Sequence, residues 1–200
     1  MIGFTKEMRK RAGILSLLWA VWGLSVAYAQ TARYYVTPDG KAPAGIEDAW
    51  QGGDNTVLIT LADALEQAQP GDEIWVQGFK ELRTLDHLYK VQGKDTPFVL
   101  KSGVKLYGGF KGNERSIDER ETLGKAYDFT YRSVLSGDLE GQDKIDPVSL
   151  IFTDNATRDD NATHVLKMEL ERSGVWNVNE EVTVVDGFTI AGGHAEGAYG

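Results

Sequence analysis

From residue 73 onward the chain repeats one local pattern: a short apolar run, a glycine-containing corner, and a polar stretch. The runs are EIWV (73–76), FVLKSGVKLYGGF (98–110, broken at Ser102-Gly103), RSVLSGDLEG (132–141), HVLKMEL (164–170) and VTVVDGFTIAGG (182–193, broken at Asp186-Gly187). Their apolar centres, Val76, Leu106, Leu135, Leu166 and Val184, recur at roughly 20 to 30 residues. A sandwich places strands about every 8 to 12 residues, and a βαβ protein puts amphipathic helices between them. Here the connections, such as GNERSIDERETLGKAYDFTY and GQDKIDPVSLIFTDNATRDDNAT, are polar and rich in turn residues. The pattern predicts an all-β parallel solenoid, in which each coil covers only its neighbours and the first coil needs a cap.

Upstream, RYYVT (33–37) ends at Pro38-Asp39-Gly40 and reads as a first strand. The following KAPAGIEDAWQGGDN has loop composition, with Trp50 as a packing lid. In TLADALEQAQPGD, Leu61, Ala64, Leu65 and Ala68 fall at helical spacing. Thr60 is placed as N-cap, Asp63 lies near the positive helix end, and Pro70-Gly71 stops the helix. This short helix, just before the first run, is the expected cap.

The first residues have a separate role. Lys6, Arg9, Lys10 and Arg11 precede an apolar run over 14–26 and a small-residue site, Ala27-Tyr28-Ala29, which together form an export signal. Cleavage is expected between Ala29 and Gln30. The run is shorter than the roughly 20 residues a membrane-spanning helix needs, and the remaining chain has no second long apolar stretch. Of 21 basic and 30 acidic residues, the leader holds four and one. The rest carries 17 against 29, a net charge of −12. Without a dense Lys/Arg surface, nucleic acid is not an expected partner. The chain has no cysteine, so no disulfide framework holds it and no lipid is attached to one.

The ordered blocks YYVTPDGK, TLADAL, PGDEIWV, FVLKSGVKLYGGFKGNERSIDER, SVLSGDLEG and VVDGFTIAGG resemble the N-terminal part of exported right-handed parallel β-helix proteins. These are pectin-lyase-like proteins of Bacteroidetes type, similar to polymorphic outer-membrane-protein-like repeat proteins. Phe110 with Asn113, and Phe152 with Asn155, match the FxxN pattern of those repeats, whereas Gly192-Gly193-His194-Ala195 departs from their GGA[IVL] element. The resemblance implies a right-handed β-helix with a short N-terminal capping helix. Residues 1–29 are then the signal peptide, 30–72 the first strand, loop and capping helix, and 73–200 the first coils. The chain is read as the N-terminal portion of a longer protein, with 193–200 poorly ordered when isolated.

The expected function is that of an exported cell-surface, outer-membrane or secreted adhesin, contacting polysaccharide or host glycans without catalysis in this region. The resemblance also implies two other readings: a polysaccharide lyase or glycoside hydrolase whose active site lies beyond residue 200, and a structural stalk. No catalytic, cofactor-binding or metal-binding residue is nominated. Asp138, Glu140, Asp143 and Asp146 in one loop, and Asp154, Asp159 and Asp160 in the next, are acidic enough to suggest calcium, but they lack the spacing of a calcium loop and read as solvated turns. His87, His164 and His194 share no ligand or triad spacing. Trp75, Tyr107, Trp176 and Tyr199 suit sugar stacking as residue types but read as packing residues. Asn155-Ala-Thr157 and Asn161-Ala-Thr163 fit the glycosylation acceptor pattern.

Overall fold

The computed structural model describes residues 31–53, 55–80, 87–125, 128–143, 157–169 and 181–195. The leader, with Ala29 and Gln30, and the segment 196–200 lie outside these residues. Ten short strands and one α-helix follow in the order β1 (Arg33–Val36), β2 (Thr56–Ile59), α1 (Leu61–Gln67), β3 (Glu73–Gln77), β4 (Leu88–Lys90), β5 (Phe98–Lys101), β6 (Lys105–Phe110), β7 (Ser133–Ser136), β8 (Leu166–Glu169), β9 (Val184–Asp186) and β10 (Phe188–Ala191). They form a five-stranded sheet in the order β2-β1-β3-β6-β9, a three-stranded sheet β10-β7-β4, and a two-stranded sheet β5-β8. Every pairing between these strands is parallel. Among the described residues the regular elements are therefore mostly strands, in parallel sheets, with a single α-helix.

Period-two alternation sends one side of each strand into a shared core. Ile74 pairs with Leu106 and Leu106 with Val185, so three apolar side chains stand in one row. The same core takes Tyr89 from β4, Phe98 and Leu100 from β5, and Leu135 from β7. Val185 and Phe188, which flank the Asp186-Gly187 corner, pack against it.

Two strands escape sequence reading. TVLI (β2) follows a segment of loop composition, and LYK (β4) is too short to carry a period. The 20-to-30-residue repeat also needs correction. Its five centres are not equivalent positions of one strand: Val76, Leu106 and Val184 lie in the five-stranded sheet, Leu135 in the three-stranded sheet and Leu166 in the two-stranded one. Strands pair with the third one along instead: β3 with β6 and β6 with β9, β4 with β7 and β7 with β10, β5 with β8.

Helix α1 begins where expected. The Asp63 N–H donates to Thr60 Oγ1 (3.4 Å), and Leu61, Ala64 and Leu65 are buried. Seven residues make a marginal helix alone, so packing on β5, β1 and β3 holds it. Thr60→Ala is expected to lower stability by about 1 kcal/mol, read from urea midpoints at unchanged slope.

Tyr89 is buried, and its O–H donates to the Gln77 carbonyl (2.9 Å). Burial, and secondarily the charge of Asp39, raises its phenol well above the ordinary value. Below about pH 10 the folded and unfolded chains both keep this proton; above it only the unfolded chain releases it, so stability falls as pH rises past the unfolded value, by up to about 1.4 kcal/mol per pH unit. Urea midpoints at about pH 9 and about pH 11 are expected to differ less in Tyr89→Phe than in the parent, because phenylalanine has no proton to lose.

Candidate functional site

The outer face of the five-stranded sheet carries two rows of side chains. In β3, Ile74 and Val76 enter the core, so Glu73, Trp75 and Gln77 point the other way. Register places Tyr35, Trp75 and Tyr107 side by side, and Arg33, Glu73 and Lys105 in the adjacent row.

The aromatic row forms a second, smaller core. Trp50 stacks on Tyr35 (4.6 Å between centroids) and Trp75 on Phe110 (4.6 Å). The Trp50 indole N–H donates to the Glu114 carbonyl (3.0 Å), and the Glu114 carboxylate accepts the N–H groups of Lys111, Gly112 and Asn113. Trp50 is thus the packing lid its loop position suggested. Trp75 faces away from the main core yet is only 1% exposed, which settles it as packing rather than a stacking platform.

The charged row stays accessible. The Arg33 guanidinium lies 3.9 Å from the Trp75 ring centroid, and its Nε and Nη2 donate to Glu73 Oε2 (3.2 and 3.1 Å). The Trp75 indole N–H donates to the same oxygen (3.0 Å). Among the described residues, Arg33 Nη1 and Glu73 Oε1 make no hydrogen bond. Beside them is a recess of about 270 Å³ lined by Thr31, Ala32, Arg33, Asn55, Thr56 and Glu73. Lys105 pairs with Glu181 (3.5 Å) and Arg120 with Asp186 (2.8 Å). Positive and negative groups alternate, so neither sign dominates the face. Burial, followed by the charge of Glu73, raises the Tyr107 phenol; the group stays protonated and is unsuited to act as a base.

The acidic residues singled out in the sequence have other work. Asp138 is fully buried, and its carboxylate accepts the N–H groups of Gly141 (2.7 Å), Gln142 (3.2 Å) and Asp143 (3.2 Å). Asp143, also buried, accepts from the Thr157 hydroxyl (3.0 Å) and the Asn161 amide (2.7 Å). These two are not solvated turn residues. Asp138 replaces ladder partners for a stretch of backbone that has left the sheet, and Asp143 ties that stretch to the side chains of Thr157 and Asn161. Burial acts to raise the Asp160 carboxyl, but hydrogen bonds from the Glu140 N–H and the Gln142 amide outweigh it, and the group titrates below its usual value. Glu140 and Asp159 are the remaining described members, and the Asp159 carbonyl accepts from Lys94 Nζ (3.2 Å). Asp146 and Asp154 lie outside the described residues. Among those described, no group of three or more His, Cys, Asp and Glu side chains is arranged to hold a metal ion.

The histidines are dispersed in role. His87 stacks on Phe79 (4.1 Å), His194 Nδ1–H donates to the Arg158 carbonyl (2.7 Å), and His164 is exposed. Asn161 is fully buried, so it cannot accept a glycan in the folded chain. Phe110 is buried, and the Asn113 amide donates to the Glu47 carbonyl (3.0 Å). Phe152, Asn155, Trp176 and Tyr199 lie outside the described residues.

A second concavity of about 380 Å³ lies between α1 and β5, with Asp63, Glu66, Pro97, Val99, Lys101 and Glu169 among its lining. The Lys101 ammonium donates to the Glu66 and Ala68 carbonyls, which the helix end leaves unpaired. Its charge is thereby committed to the fold.

Sequence reading missed Arg33 and Glu73. Their signal was a charged residue at the head of each apolar run, in RYYV and DEIWV, but which charges meet depends on a strand pairing that periodicity does not reveal. Among the described residues no helix is long and apolar enough to cross a membrane. Comparison with protein-family models, curated proteins and solved structures gave no match.

Proposed function

We propose that this chain winds as a right-handed parallel β-helix of the pectin-lyase-like type and serves, after export, as a glycan-contacting protein of the cell surface or its surroundings. The observation that carries the winding is pairing with the third strand along. β3-β4-β5, β6-β7-β8 and β9-β10 are then successive coils, each giving one strand to each sheet as far as the described residues extend. Right-handedness follows from the general rule for parallel crossovers. In this reading α1 caps the first coil, residues 1–29 are the export signal, and 73–200 are coils.

Support for a contact role comes from the outer face of the five-stranded sheet. Stacked parallel strands set polar groups in a regular row, suited to an extended partner. The described acidic residues Asp138, Asp143 and Asp160 are occupied in fastening loops, which favours contact over hydrolysis in this region. A panel of immobilised plant and host polysaccharides tests the function. Retention of the protein without release of shortened chains is the expected result. Chain cleavage would replace the adhesin reading with the enzymatic one, and failure to retain any polysaccharide would leave the stalk reading.

A further inference from the structure

We propose that the recess beside Arg33 and Glu73 binds two adjacent hydroxyls of a neutral sugar. This rests on the glycan-contact reading and adds its site and ligand class. The site is already rigid: Arg33 is held by the Trp75 ring and by Glu73, and Glu73 by Arg33 and the Trp75 indole. Little ordering is left for binding to supply. What remains unengaged is one guanidinium nitrogen, Arg33 Nη1, and one carboxylate oxygen, Glu73 Oε1. One donates and the other accepts, a match for two neighbouring hydroxyls that each do both.

The rest of the lining agrees with that chemistry. Thr31, Asn55 and Thr56 add hydroxyl and amide groups without charge. Thr56 Oγ1 donates to the Gln51 carbonyl (3.2 Å) and keeps its lone pairs for a ligand hydroxyl. Arg33 and Glu73 cancel each other, so a uronate or an amino sugar loses beside one of them what it gains beside the other and still gives up the hydration of its charge, whereas a neutral ring gives up none. At about 270 Å³ the recess is smaller than the usual drug-sized pocket. It fits a single sugar ring at the end or side of a chain.

The test is titration of the full chain with methyl mannopyranoside, its 3-deoxy analogue, which has no two adjacent hydroxyls, galacturonic acid and glucosamine, followed by the NMR signal of the Trp75 indole N–H. Methyl mannopyranoside is expected to shift that signal and to bind about tenfold more tightly than the other three. Arg33→Lys keeps the charge but loses the planar fork, and should weaken binding about tenfold. Asn55→Ala alters an exposed rim side chain, leaves the Arg33–Glu73 pair intact, and should weaken binding about threefold. Binding unchanged by both substitutions would overturn the site while leaving glycan contact standing. Tighter binding of galacturonic acid or glucosamine would overturn the ligand class. If no sugar binds but polysaccharides still retain the protein, this inference alone fails; if retention fails too, the functional reading goes with it.

Discussion

Replacing Arg120 with alanine is expected to lower stability by about 3 kcal/mol, read as a reduced urea midpoint at unchanged slope. The side chain is 9% exposed and ties three segments together. Its Nη1 donates to the Gly108 carbonyl (2.9 Å), its Nε to the Ile117 carbonyl (3.0 Å) and its Nη2 to Asp186 (2.8 Å). The guanidinium also lies 4.4 Å from the Phe129 ring centroid. Truncation leaves the Asp186 carboxylate without its cation and the Gly108 carbonyl without this donor, so the cost exceeds that of a surface ion pair. Asp186 is 23% exposed and can recruit water. Asp186→Asn should therefore cost less, about 1 kcal/mol. Equal losses in the two variants would show that the ion pair, and not the anchoring of 117–120 to β6, matters.

Gly187→Ala should cost a similar amount, about 3 kcal/mol, from two separate sources. The residue has φ of +80°, where an L side chain is strained, and a Cβ would stand 2.5 Å from the Gly108 carbonyl oxygen. That oxygen belongs to backbone in β6 and cannot swing aside. Gly45 separates the two sources, since its φ is +73° but a Cβ there meets nothing within 4 Å. Gly45→Ala should lose only the conformational part, about 1 kcal/mol. If both substitutions cost the same, the close approach of the β9–β10 corner to β6 carries no energy of its own.

The two glycine cases show why part of the fold was legible. Asp186-Gly187 announces a corner wherever it stands, because only glycine takes that backbone conformation freely. Thr60, Leu61, Ala64 and Leu65 announce a capped amphipathic turn for similarly local reasons. LYK in β4 announces nothing: three residues hold no period, and the strand exists because β7 offers it a parallel edge. Asp138 and Asp143 were legible as residues but not as buried ones, since their burial follows from where the loop folds back.

The candidate site lies further still from local signals. Arg33 and Glu73 meet across β1 and β3 with a loop, a strand and the helix between them in the chain. The sequence by itself determined the strand-forming runs, the corners, the helix and its cap, because each depends on the preferences of neighbouring residues. Tertiary structure decided which runs share a sheet, that Trp75 is sealed between Phe110 and the Arg33 guanidinium, and that Arg33 and Glu73 flank one recess. Those outcomes depend on parallel pairing between residues distant in sequence, where register chooses which side chains become neighbours.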